Sequence, residues 1–294
     1  MVAGGWQEAK GINRMKIAVW KTGHQIADTV AESVSLGFSE GFLKLKSGIE
    51  GVGKFTTNIP NIDIEDDIIP SYDIHIGYGI LRGMDEVFRA SDKAGKHWFN
   101  IDRGYFKPCH FDGYYRISYK GTQQTTGLDR LEPDYARLEQ LGIEILPYRG
   151  FNDGGVLYCP PTHHAAMFFG KRMMIDANSC GHKLTVRRKE MNLPLQPDLD
   201  GCSMVYTFNS SVGWEALRQG IPVASDPYHS ICGAYQKLVD KMLYQDYEER
   251  RKLFAIMASL QLTLAEIRNG LLWPIIQKLL SLSDMTKEKK SQSM

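Results

Sequence analysis

Residues 204–226, M-V-Y-T-F-N-S-S-V-G-W-E-A-L-R-Q-G-I-P-V-A-S-D, constrain this chain more than any other stretch. An apolar run at 204–208 stops at the polar cluster Asn209-Ser210-Ser211. Helical spacing follows over 212–219, Gly220 supplies a stop, and Pro222 opens a second apolar run. Strand, helix and strand in so few residues fit a parallel unit with a right-handed crossover. A helix that begins where a strand ends leaves its first N–H groups unpaired and the positive end of its dipole facing outward. Ser210 and Ser211 can cap that start and add hydroxyl donors, so the turn reads as a phosphate site. Glu215, one turn further on, can accept both hydroxyls of a ribose, the part an acidic residue takes in dinucleotide folds.

The remainder repeats the alternation. Apolar runs at 15–20, 71–80, 97–101 and 143–146 read as strands, and 26–38, 84–94 and 134–141 as helices. After Gly154-Gly155 the pattern restarts with strands at 156–159, 183–187, 204–208 and 221–225 and helices near 164–174 and 212–219. Beyond Tyr235 helical spacing continues to about residue 282, with a break near 270–274. The chain is therefore expected to be α/β, with one domain at 15–150, a second at 151–282 carrying terminal helices, and a seam near 148–155. Residues 1–14 are expected to be a flexible leader or tag, and 283–294 a disordered tail.

Composition removes several classes. At 43% hydrophobic and 23% charged, the 294 residues suit a globular protein, and a net charge of +1 gives no bulk attraction to nucleic acid. The five cysteines are widely spaced with no C-x-x-C, which reads as reduced thiols in a cytoplasmic protein. No run approaches the roughly 18–20 apolar residues of a membrane span. Neither G-x-x-x-x-G-K-[ST] nor a strand followed by G-x-G-x-x-G occurs, which disfavours P-loop and dinucleotide enzymes. His163-His164 raise a metal question, but neighbouring residues point apart and no third ligand has suitable spacing, so no metal is expected.

The 204–226 block resembles the donor-binding segment of GT-B glycosyltransferases, where a strand and small polar residues precede a helix carrying E-A-L-x-x-G-x-P-V. It is similar to forms in capsule-type sugar transferases and in phage-encoded glycosyltransferases. The resemblance is tight over these residues and loose elsewhere. It implies two Rossmann-like domains facing a cleft, with a UDP-sugar on the C-terminal one and no separate cofactor. Asn209, Ser210 and Ser211 would then hold the diphosphate and Glu215 the ribose. The same scheme lays the loop after strand 156–159 over the diphosphate, making Thr162 and His163 donor contacts. Arg187 and Arg188, closing strand 183–187, could neutralise the leaving group, although this R-R-K-E departs from the basic or His-Pro pair common in related enzymes.

An inverting transferase needs a base on the N-terminal domain. Asp102, at the end of strand 97–101, and His24, in the loop after the first strand, are the candidates, with Asp153 at the seam behind them. Aromatic residues crowd 97–119, interleaved with Arg103, Lys107 and Arg116. Most are expected in the core, but the mixture also suits stacking on a base, which makes hydroxymethylated pyrimidine in phage DNA an attractive acceptor. The competing readings are a glycan- or lipid-directed sugar transferase, a nucleotide-sugar epimerase, and a non-catalytic nucleotide- or DNA-binding protein.

Overall fold

A computed structural model describes residues 15–44, 52–56, 68–108, 111–150, 154–170, 183–188, 193–240 and 245–292. Strand β1 (Ile17–Lys21) is buried along nearly its whole length, as a strand covered on both faces must be. It pairs in parallel with β2 (Val52–Thr56) and β3 (Ile74–Tyr78), and β3 pairs in parallel with β4 (His97–Arg103). Strand β5 (Tyr114–Tyr119) returns antiparallel along β4. The strand period of two sorts the side chains. Ile17, Val19, Phe99 and Ile101 join Val30 and Val34 of α1 (Gln25–Lys44) in the large core. Ala18, Trp20 and Trp98 face the other way, against Met84, Val87 and Phe88 of α2 (Met84–Lys93).

The second sheet is wholly parallel. It is built from β6 (Gly155–Cys159), β7 (Leu184–Val186), β8 (Cys202–Thr207) and β9 (Val223–Ser225), in the order β7-β6-β8-β9. Helices α4 (His163–Phe169), α5 (Gln196–Asp200) and α6 (Val212–Arg218) connect them, and α7 (Ile231–Val239) follows β9. The parallel strands of the first sheet have the matching order β2-β1-β3-β4, so each half reverses direction between its first and third strand. The α/β class and the two-sheet organisation expected from the sequence are thus observed.

The expected boundary fails at the C-terminus. After α8 (Tyr247–Ser259), residues Gln261–Thr263 form β10, which pairs antiparallel with β5 and completes the first sheet, β10-β5-β4-β3-β1-β2. Helices α9 (Leu264–Arg268) and α10 (Leu272–Gln292) then lie on α1. Arg268 donates to Ser33 Oγ at 3.1 Å, and Trp273 meets Phe38 edge-on at 5.7 Å. A strand of three residues is too short for its alternation to be read, so this return is invisible in the pattern. Residues 283–292, expected as a disordered tail, continue α10; the run M-T-K-E-K-K is rich in helix-forming side chains. The leader 1–14 lies outside the described residues.

Residues 143–146, expected as a strand, take no regular secondary structure and join no sheet. Beyond α3 (Tyr135–Leu141) this connection seals itself to the second half: Leu146 N–H donates to the Arg218 carbonyl at 2.8 Å, and Arg149 N–H to that of Gly220 at 3.2 Å. Gly220 has φ +69, and a Cβ there would stand 2.1 Å from the Pro147 carbonyl oxygen, so no other residue fits. The fully buried Arg250 donates from Nη1 to the carbonyls of Leu146 and Leu217, both at 2.8 Å, tying the connection and the end of α6 to α8. One hydrophobic cluster runs through both halves, from Ile17 and Ile101 to Val205, Trp214 and Phe254.

His75 on β3 is fully buried, with Nδ1 accepting from Trp20 Nε1 at 3.2 Å and Nε2 3.3 Å from the Ile69 carbonyl. Burial pulls its pKa from 6.5 down to about 4. The unfolded chain takes up this proton first, so stability is complete above pH 6.5 and falls as the pH drops towards 4. The full loss is about 3 kcal/mol. Urea midpoints at pH 7 and pH 4.5 should therefore differ more for the parent than for His75→Gln, which keeps a donor and an acceptor but does not titrate. Equal differences would remove His75 as the cause.

Candidate functional site

The direction reversal in the second sheet lies between β6 and β8, where an open α/β sheet forms its ligand crevice beyond the strand ends. The two loops bordering that crevice are 160–162, leading into α4, and 208–211, leading into α6. In the second loop Ser210 N–H donates to Thr207 Oγ1 at 3.1 Å, and Ser210 Oγ accepts from Val212 N–H at 3.3 Å. Ser210 thus supplies the local cap, while Ser211, at the N-cap itself, is exposed and makes no side-chain cap bond. In the first loop Thr162 Oγ1 is spent capping α4, accepting from Ala165 N–H at 3.3 Å. His163 is exposed, with its ring edge-on to His164 at 5.8 Å.

Two other donor candidates are already paired. Glu215 is on the outward face of α6, where its Oε2 accepts from Arg218 Nε at 3.1 Å, and Arg218 also reaches the Glu144 carbonyl. Arg187 follows β7, the far edge of the sheet and about 10 Å from β8 by strand spacing. Its guanidinium is engaged by Asp198 and by the carbonyls of Leu193 and Pro194; Arg188 beside it is exposed.

The first half reaches the crevice through loop 120–125. Gln123 Nε2 donates to the Asn209 carbonyl at 2.5 Å, and Gln123 Oε1 accepts from Ile231 N–H at the start of α7 at 2.9 Å. Asn209 Nδ2 donates to Thr122 Oγ1 at 3.2 Å. Behind this clasp Arg116 donates to the Thr122 carbonyl at 3.1 Å and to Asp102 Oδ2 at 2.7 Å. The Arg116 guanidinium lies 5.5 Å from the Tyr105 ring and 5.9 Å from that of Trp214. Trp214 Nε1 donates to the Tyr105 carbonyl at 2.9 Å. Asp102 and Asn209 are therefore linked through Arg116 and Thr122, although 107 positions separate them (209 − 102). Both Asp102 oxygens are occupied, Oδ1 by Arg103 N–H at 2.8 Å. His24 follows β1, two strands from β4, and its buried Nδ1 has no hydrogen-bond partner among the described residues. Asp153 lies outside the described residues.

A cavity of about 300 Å³ opens between the halves next to Asn209. Trp98, Lys120, Thr122 and Gln123 line it from the first half, and Phe168, Phe169, Tyr228 and His229 from the second. His229 Nδ1 is 2.7 Å from Asp226 Oδ1, which also accepts from Tyr228 N–H at 2.8 Å. The imidazole stacks on Phe208 at 4.9 Å and meets Phe169 edge-on at 4.4 Å. Neither Asp226 nor His229 stands out in the sequence. The only signal is D-x-x-H directly after the last strand of the parallel sheet, whose spacing matters only once the turn brings the two together.

Cys159 and Cys232 are pushed up to about 12 by burial, which leaves neither thiol a nucleophile at neutral pH. The aromatic residues Trp98, Phe99, Tyr105, Phe106, Tyr115 and Tyr119 are buried, as expected for core, and Phe111 is exposed. Among the described residues no His, Cys, Asp or Glu side chains converge in threes as a metal site would need, and no helix is long and apolar enough to cross a membrane.

No protein-family model matches the chain, and no curated protein does. Among solved structures it is similar to Thermosulfurimonas dismutans KpsC, a β-Kdo 2,4-transferase, at 13% identity over 84% of this chain and 90% of that one, with a TM-score of 0.35. It is also similar to a Listeria monocytogenes protein assigned as a UDP-N-acetylglucosamine 2-epimerase, at 10% identity over 89% and 96%, with a TM-score of 0.27. Likenesses this slight carry no weight for fold or activity.

Gln123 bonds with both ends of its amide across the seam. Gln123→Ala should lower stability by roughly 1–2 kcal/mol and speed amide exchange in 208–211 and at the start of α7. Unchanged exchange there would show that the clasp does not hold the turn.

Proposed function

We propose that this chain is a glycosyltransferase that takes a nucleotide sugar in the β6–β8 crevice and passes the sugar to a hydroxyl acceptor entering between the halves. The observation that carries this reading is the position of the Asn209-Ser210-Ser211 turn. It stands at the direction reversal of a parallel sheet, opens α6, and is held from the opposite half by Thr122 and Gln123. The N–H groups of Ser210, Val212 and Gly213 are engaged within the turn, so the exposed Ser211 hydroxyl and the positive end of the helix dipole are what is assigned to the donor phosphates. The expected donor is a UDP-sugar, and Glu215 is assigned to its ribose; that role requires the carboxylate to exchange Arg218 for the two ribose hydroxyls. Asp102, with both oxygens engaged, is assigned to holding Arg116 under the clasp rather than to proton transfer.

The acceptor class is left at a hydroxyl compound. Stacking on a hydroxymethylated pyrimidine needs exposed rings, and of the aromatic residues between 97 and 119 all but Phe111 and Tyr114 are buried. Epimerisation of the donor sugar is the second reading. It is favoured by the His229–Asp226 pair in the cavity, because that reaction too needs a group that moves protons beside the sugar.

A thermal-shift screen of nucleoside monophosphates, diphosphates and their sugars tests the class, and product analysis separates transfer from epimerisation. Glu215→Ala should weaken the best nucleotide by about 1–3 kcal/mol in calorimetry while leaving the melting temperature of the free protein nearly unchanged. Affinity equal to the parent's would take Glu215 out of the site.

A further inference from the structure

We propose that His229, oriented by Asp226, is the catalytic base, and that the cavity beside it seats the acceptor's hydroxyl-bearing ring. This rests on the transferase reading above. Asp226 and His229 follow β9, the strand next to β8 on the side away from β6. Asp226 N–H donates to the Phe208 carbonyl at 3.3 Å, so the pair is anchored to the residue directly before Asn209. The dyad therefore adjoins the donor turn on the side opposite the phosphate crevice.

The contact with Asp226 sets the tautomer of the neutral ring. A carboxylate only accepts, so the neutral imidazole carries its proton on Nδ1 towards Asp226 and keeps a lone pair on Nε2. Phe208 on one face and Phe169 at the edge prevent the ring from turning. Among the described residues its only hydrogen bond is to Asp226. The His229 side chain is 18% exposed and that of Asp226 13%, so the base meets the cavity while its partner is shielded.

The cavity suits a ring. At about 300 Å³ it is at the small end of ligand pockets. Phe168, Phe169 and Tyr228 offer apolar walls, and the buried Trp98 brings an indole Nε1 that has no hydrogen-bond partner among the described residues. Its charged residues are already occupied: Lys120 pairs with Asp92 at 2.8 Å, and Arg89 reaches Asp85 and the Met167 carbonyl. That environment favours a neutral hydroxylated ring over an anion.

In the step, the acceptor oxygen bonds to the anomeric carbon while the bond from that carbon to the donor phosphate breaks, its electron pair leaving with the nucleotide. The hydroxyl proton goes to His229 Nε2, and Asp226 stabilises the imidazolium.

The test uses the full chain with the nucleotide sugar found by the screen. His229→Gln is expected to bind that donor within twofold of the parent and to transfer at least 100-fold more slowly. Asp226→Asn should lower kcat at least tenfold with the donor KM unchanged. His229→Gly should recover turnover when imidazole is added, and donor binding by each variant confirms folding. Near-parental turnover in His229→Gln, or no rescue of a donor-binding His229→Gly, overturns this assignment and leaves the transferase reading intact. Failure of the parent to bind any nucleotide sugar overturns that reading and this one with it.

Discussion

The placement of α6 governs the rest of the structure. This helix has only seven residues, too few to persist alone, so tertiary contacts must hold it. Trp214 supplies one: its buried indole stands edge-on to Tyr105 at 5.2 Å and donates to the Tyr105 carbonyl. Arg250 then takes the carbonyl of Leu217 at the other end. The Asn209-Ser210-Ser211 turn is continuous with α6, so whatever holds the helix also sets the turn. A contact made by the first half thereby aims a group that belongs to the second.

This coupling changes what the seam between the halves can be. The hydrophobic cluster is continuous across it, and the C-terminal segment crosses back to complete the first sheet through β10. Among the described residues, the seam holds the cavity by His229, beside the strand ends of β6 and β8. The turn after β8 separates that cavity from the β6–β8 crevice. On the proposed reading it divides donor from acceptor, with phosphates towards β6 and the nucleophile towards β9. The aromatic clamp around His229 and the ion pair of Asp102 with Arg116 belong to the two sides of one interface, joined by Thr122 and Asn209.

Much of the fold was legible because strand and helix periodicities are local. The burial of β1, the helices on either side of its sheet, and the strand-turn-helix at 202–218 follow from spacing. In β5 Arg116 and Ser118 alternate with Tyr115, Ile117 and Tyr119, the period of a half-exposed strand, yet Arg116 and Ser118 are covered because loop 120–125 folds over them, which no local pattern shows. The candidate site was legible in part. The turn stands out in the sequence, while Asp102, which the sequence offers as a base, has both oxygens engaged, by Arg103 N–H and by Arg116. Arg187, which the sequence offers for neutralising the leaving diphosphate, is paired with Asp198. The His229–Asp226 pair passed unnoticed because an i, i+3 pair after a strand has no meaning until a turn closes it.

By itself the sequence determined two α/β halves and a small polar turn opening a helix, because these depend on side chains within a few residues of one another. Only the tertiary structure decided what that turn faces. Thr122, Gln123 and Trp214 meet their partners across separations of 87, 86 and 109 positions. Such pairings are set by strand order and by the return of the C-terminal segment to the first sheet, and no local pattern encodes them. The energy that fixes them comes from burial and from satisfying polar groups at a seam, which exist only once both halves have folded.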